Sequence, residues 1–347
     1  MNTMATFVAA SAAGLQLEYL SSDLIAARPA SWWKNILGVV GFEKSPAIGQ
    51  DRIPVTASMI PSLGAAGLCE VWRIEGSGIE LSTGESRHRR VLYRYCEDLL
   101  FGSLTIVEQG EADEAGALLR ATETAYQDIF DVLNETEHRH LIRIWNYLPE
   151  INRETGGDER YRHFNSARQR AFRNRGRATT GAVPAACALG SPAGSPISIY
   201  FLAARQPPIV IENPRQTSAY HYPAKFGRHR PIFSRACVWG EPGNSKLFVS
   251  GTASIVGHET IHRGDVAAQT RETLANIGAL LEEANRVVGA RAYTLSGLKL
   301  KVYVRKIADL PAVKATLSRA LSPATHIMYL QADVCREDLL VEIEAVG

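Results

Sequence analysis

Close to the C-terminus, the run LVEIEAV (340–346) alternates apolar and acidic residues. A period of two predicts a strand on which Leu340, Glu342, Glu344 and Val346 share one side, with Val341 and Ile343 on the other. A carboxylate in the middle of a core-quality strand is costly to bury unless it is partnered or works as an acid. Glu342 is therefore a candidate general acid. The competing reading is a solvated side or an edge strand, on which Glu342 does no chemistry.

A second constellation lies near residues 160–174. Tyr161, Asn165, Arg168 and Phe172 fall at i, i+4, i+7 and i+11, which is one stripe of a helix. An inward stripe should be apolar, yet its middle is Asn and Arg. A guanidinium is a planar fork that matches a carboxylate, so the stripe suits an anion site. An outward face with two incidental aromatics is the other reading. Arg168, Arg170, Arg173, Arg175 and Arg177 form a basic run. A near-neutral chain without an aromatic stacking platform favours a solvated helix end over RNA binding.

His258 and His262 frame an H-E-x-x-H string, which holds zinc when both imidazoles share a helical face. Here the string lies between Val256-Gly257 and Gly264-Asp265, a setting for a strand or hairpin. Residues four apart on a strand stand about 13 Å from one another, too far to share one ion. No metal is expected. A phosphate-binding loop, a dinucleotide fingerprint and a G-x-S-x-G elbow are missing, and Gly76-Ser77-Gly78 reads as an isolated turn.

These residues must be positioned by repeated elements. Residues 99–135 (LLFGSLTIVEQGEADEAGALLRATETAYQDIFDVLNE) and 246–284 (KLFVSGTASIVGHETIHRGDVAAQTRETLANIGALLEEA) each pass from a β-rich run through a turn into a long helix. Asp265 is placed to cap the second helix behind Gly264. Val266, Thr270, Thr273, Ile277, Leu280, Leu281 and Ala284 give that helix one buried face. The match continues through HLIRIWNYLP (140–149) and LKLKVYVRKIADLP (298–311), each followed by a second helix, at about 159–175 and 310–321. Closing strand pairs follow at 185–204 and 329–346, where Ile199 aligns with Val341 and Tyr200 with Glu342. Two α+β units of one kind are expected, 1–206 and 207–347, joined near Gln206–Pro214. The first unit carries extensions, notably 32–41 and 87–94.

Composition narrows the class. The chain has 347 residues, 46% hydrophobic and 21% charged, with 38 Lys and Arg against 36 Asp and Glu. Such a balance gives no bulk field for nucleic acid or anionic lipid. The five cysteines are scattered without a C-x-x-C pair, as in a reduced cytoplasmic protein. The first basic residue is Arg28, behind rather than ahead of the weakly apolar start, so no secretory signal is expected. No stretch reaches 18 consecutive apolar residues, and no membrane span is expected.

The string SGTASIVGHETIHRGDVAAQTRETLANI (250–277) resembles the central segment of the YjgF/RidA superfamily, and VEIEAV its closing strand. Two such units with SRACVWG (234–240) and ADVCREDLLVEIE (332–344) resemble the chorismatase family, from about Leu15 to the C-terminus. The resemblance implies two tandem YjgF/RidA-like domains in a chorismate mutase-like barrel, each mixed sheet backed by two helices. It also implies removal of the enolpyruvyl side chain of chorismate as pyruvate, without a cofactor. The family's acid, the first glutamate of V-E-I-E, falls on Glu342 and protonates the enolpyruvyl methylene carbon. Arg235 matches the family's substrate-binding arginine and Tyr222 lies where the family has a tyrosine. Arg168 serves the other carboxylate of chorismate, beside Asn165 and Tyr161.

Members differ in product. Some hydrolyse chorismate to a dihydroxycyclohexadiene carboxylate; others form 3-hydroxybenzoate by an intramolecular step, and some of these also release 4-hydroxybenzoate. Gly251, where hydrolases have alanine, and Cys335, seven residues before the acid, resemble the benzoate-forming branch and shape the space around the ring. The expected activity is therefore 3-hydroxybenzoate synthesis in a monomer or weak homo-oligomer. The hydrolase remains the alternative within the class. A non-catalytic or imine-processing RidA-like protein is the alternative outside it.

Overall fold

Three sheets follow one another along the chain. The computed structural model describes residues 14–44, 46, 53–76, 79–110, 113–241 and 243–347; the chain's first 13 residues, and Ser77 and Gly78 where the sequence reads as a turn, lie outside them. The first sheet contains β1 (Leu15–Ser21), β2 (Ile36–Gly41), β3 (Val55–Ala57) and β4 (Leu68–Ile74), in the order β1-β4-β2-β3. The sequence read this region as an extension of the first repeat. Here it is a sheet of its own, with Ile36, Val39 and Val71 packed on Ile25 and Trp33.

The second sheet is built from β5 (Ser82–Glu85), β6 (Leu92–Tyr95), β7 (Leu99–Ile106), β8 (His140–Pro149), β9 (Ala185–Ser191) and β10 (Ile197–Ala204). The helices α1 (Glu114–Glu135) and α2 (Arg160–Asn174) belong to the same stretch. The third sheet takes β11 (Ile209–Ile211), β12 (Ala236–Trp239), β13 (Lys246–Ala253), β14 (Lys299–Val304), β15 (Ile327–Gln331) and β17 (Val341–Val346), with helices α3 (Val266–Val288) and α4 (Leu310–Ala320). Its short strand β16 (Asp333–Val334) instead joins the edge of the second sheet, where Val334 faces Leu189.

The repeat is explicit in the strand order. The second sheet runs β9-β8-β10-β7-β6 where the third runs β15-β14-β17-β13-β12. Asp113 and Asp265 cap α1 and α3 by accepting from the N–H of Gly116 and Ala268. All seven α3 residues expected on the buried face are buried. One face of the second sheet lies under α1 and α2, through Phe130, Phe164 and Phe172 on Ile144 and Phe201. One face of the third lies under α3 and α4, through Ile277, Leu280 and Leu317 on Val302 and Ile343.

The remaining faces of all three sheets meet in a central core around Trp72, Phe101, Trp145, Tyr200, Phe248 and Tyr303. Strand alternation sends Ile343 to the helices and Glu342 and Glu344 the opposite way. Both glutamates are buried, which removes the solvated-side reading.

Cross-strand pairs relate the two closing strands. Glu342 lies opposite Tyr303, and Ser198 opposite Tyr147. Glu344 lies opposite Lys301, and Tyr200 opposite Trp145. With His140 set against Leu298, Trp145 matches Tyr303, and this register is consistent with Tyr200 matching Glu342.

Candidate active site

A cavity of about 920 Å³ opens where the second and third sheets meet. The edges touch there: the Ala186 N–H on β9 donates to Ser250 Oγ on β13, 2.9 Å away. Glu342 lines the cavity from β17 and is 4% exposed. Gly251 on β13 lies against it. A Cβ at this glycine would stand 2.0 Å from Glu342 Oε1 and 3.2 Å from the Cβ of Cys187. The room left by Gly251 is thus occupied by the acid itself.

The two glutamates of β17 have opposite environments. Burial, and next the charge of Glu344, push the Glu342 carboxyl up to about 8. Burial also acts upward on Glu344, but Lys301 and Arg143 outweigh it and hold this carboxyl below its usual range. Glu344 accepts from Arg143 Nη2, from Lys301 Nζ at 2.5 Å, from Trp145 Nε1 at 2.9 Å and from Tyr303 Oη at 3.0 Å. Lys301 also donates to Glu70 Oε2 on β4 at 2.6 Å, which ties the first sheet into the network. One glutamate is a structural anion; the other is a carboxyl able to keep its proton near neutrality.

Behind the cavity is a recess of about 30 Å³. Tyr161, Asn165 and Arg168 line it from α2, together with Gly251, Cys335 and Glu342. The polar stripe faces inward, and the outward-face reading fails. Arg168 is 2% exposed, rests on the rings of Tyr126 and Phe172 at 5.3 and 5.4 Å, and leaves Nε and Nη2 without partners. Unmade hydrogen bonds on a buried cation are costly, and an incoming anion would satisfy them. Arg170, by contrast, is half-exposed and pairs with Glu123.

Arg235 precedes β12 and is 3% exposed. Its Nη2 donates to the Thr217 carbonyl and to Tyr222 Oη, each at 2.7 Å, while Nε has no partner. Burial, then the charge of Glu342, push the Cys335 thiol up to about 12, so it stays uncharged in the wall of both spaces. All eight residues singled out from the sequence therefore border one connected site. Arg336 was not singled out. It lines the cavity with its guanidinium 4.0 Å above the Phe226 ring, and Nη1 donates to the His258 carbonyl at 2.9 Å. Its place beside Cys335 in CRED was the available signal, but an isolated arginine carries no periodicity.

The H-E-x-x-H string forms a hairpin pairing Ile255–Val256 with Glu259–Thr260. His258 faces Glu259 and His262 faces Glu272. Among the described residues no group of three or more His, Cys, Asp or Glu is placed to hold a metal. No helix among them is long and apolar enough to cross a membrane.

Comparison with known proteins finds chorismatases. Residues 70–203 match the family model described as "Chorismatase FkbO/Hyg5-like, N-terminal". A 3-hydroxybenzoate synthase of Streptomyces hygroscopicus is 36% identical over 328 residues, covering 90% of this chain and 92% of the relative. A chorismatase of Streptomyces rapamycinicus is 38% identical over 284 residues, covering 80% and 81%. A chorismatase crystal structure superposes with a TM-score of 0.83 at 29% identity, covering 96% of this chain and 98% of that one. With its α+β architecture, its paired repeats and relatives of this similarity along nearly its whole length, the chain belongs to the chorismatase family.

Proposed function

We propose that the protein converts chorismate to 3-hydroxybenzoate and pyruvate, with Glu342 as the general acid. The observation that carries this reading is the Glu342 carboxyl, buried at the cavity wall and pushed up to about 8 first by that burial. Such a group is still an acid at pH 7, as protonation of carbon requires.

The enolpyruvyl group is an enol ether. Proton transfer from Glu342 to its methylene carbon makes a methyl group and leaves an oxocarbenium-like centre beside the ether oxygen. The bond between that oxygen and the ring then weakens, and pyruvate leaves with the oxygen as its keto group. When the neighbouring ring hydroxyl supplies the replacement oxygen, that oxygen bonds to the vacated carbon, its bond to its original carbon breaks, and the ring loses one proton and becomes aromatic. The Glu342 carboxylate can take that proton back. The two products together have the composition of chorismate, so no water is consumed. Arg168 in the recess and Arg235 in the cavity are suited to the two carboxylates, with Tyr222 holding Arg235 in place and Asn165 and Tyr161 completing the recess.

Support for the benzoate branch comes from Gly251, from Cys335 and from the 3-hydroxybenzoate synthase relative. Incubation of the purified protein with chorismate, followed by chromatography and a pyruvate assay, tests the proposal. Equal amounts of 3-hydroxybenzoate and pyruvate are expected. The dihydroxycyclohexadiene carboxylate as main product would move the protein to the hydrolases; no pyruvate would end the proposal.

A further inference from the structure

Glu344 touches neither the cavity nor the recess, yet it is the most heavily bonded carboxylate near the acid. We infer that Glu344 is a positioning residue that captures Arg143 and Lys301, the two buried cations on its side of the core, and so denies them to Glu342. This rests on the reading of Glu342 as a general acid. Four donors from two strands converge on Glu344: Arg143 and Trp145 from β8, and Lys301 and Tyr303 from β14. Among the described residues each of these bonds is donated to Glu344, so the ionised form is the one its surroundings stabilise. Glu344 stands two residues from Glu342 on the same face, roughly 6.6 Å along the strand.

The charges in this part of the core balance. Glu70 and Glu344 face Lys301 and Arg143, all four being buried. Arg143 still has one unpartnered nitrogen, Nη1, so it could serve a second carboxylate if the first were removed. The other groups around Glu342 are less able to do so. Arg305 places its donors on Asp333, Asn152 and three backbone carbonyls. Arg235 is held by Thr217 and Tyr222. Arg168 lies across the recess from α2, where Tyr161 is its titratable neighbour; Cys187, Cys335 and Tyr303 face the acid as uncharged groups, and Arg336 stacks on Phe226.

The experiment is the pH dependence of chorismate turnover in three variants. An acid works in its protonated form, so activity is lost as pH rises through its pKa. Glu344→Gln leaves the core with one surplus positive charge, free to pair with Glu342. Its alkaline midpoint should fall by about one pH unit or more, with activity recovered on acidification. Lys301→Met leaves one surplus negative charge and should move the midpoint the opposite way. The double variant removes one charge of each sign and should return the midpoint close to wild type. A Glu344→Gln protein that is slower at every pH with its midpoint unmoved overturns the inference, as does a shift of both single variants in one direction.

Should Glu344→Gln fail to fold, as judged by circular dichroism, Glu70→Gln removes the same charge farther from Glu342 and should shift the midpoint the same way by less. An unmoved midpoint in that variant also overturns the inference. Infrared detection of the protonated Glu342 carboxyl, assigned by its loss in Glu342→Gln, follows the same titrations without turnover. It separates failure of this inference from failure of the proposed activity.

Discussion

Gly251 and Glu342 compete for one volume: a Cβ on the glycine would stand 2.0 Å from Oε1 of the acid. The contact is with the end of a flexible side chain, so an alanine would displace the carboxyl rather than the strand. We expect Gly251→Ala to fold, and to lower turnover or shift product toward the dihydrodiol. A change of about 1.4 kcal/mol between the competing transition states would alter the product ratio tenfold. Chromatography of the reaction decides it; an unchanged ratio and rate would leave the glycine without influence on the chemistry.

The helical stripe predicts a contrast between neighbours. Arg168→Ala removes a buried cation with unsatisfied donors, and chorismate binding should weaken about ten- to a hundredfold, for about 1.5–3 kcal/mol. Arg170→Ala removes a half-exposed ion pair with Glu123 and should change the kinetics by about twofold at most. Steady-state KM values for both variants give the answer, and equal effects would contradict the assigned roles.

The pH profile has a definite sign. Glu342 is a carboxyl pushed up to about 8, first by burial and then by Glu344. Its proton is present below that value and lost above it. kcat/KM should therefore be sustained through neutrality and decline on the alkaline side, near pH 8. A profile that rises through this range would mean that the working form is the carboxylate.

Metal removal should do nothing to the rate. The two imidazoles of the H-E-x-x-H string face different carboxylates, Glu259 and Glu272. Dialysis against EDTA is expected to leave turnover unchanged. One zinc per chain, lost in His258→Ala, would reopen the metal reading.

Much of the site was legible because it sits on regular elements. Period two put Glu342 and Glu344 on one face, and period 3.6 gathered Tyr161, Asn165 and Arg168, which do border a single recess. Burial itself was not legible, since a polar stripe can face either way. The repeat was also legible in the order of its strands and helices. The first sheet was not foreseen: its strands β1–β4 match neither repeat and find their apolar partners far along the chain. Glu70 and Lys301 illustrate the limit. They are 231 residues apart and bond at 2.6 Å, and no local pattern in either segment points to the other.

The central claim is that Glu342 supplies the proton. Glu342→Gln keeps the size and polarity of the side chain but has no carboxylic proton to donate. Pyruvate release from chorismate by the folded variant, checked by circular dichroism, is the direct measurement. A loss of at least about a hundredfold relative to wild type is the predicted result. Near-normal release by a folded Glu342→Gln protein would contradict the account.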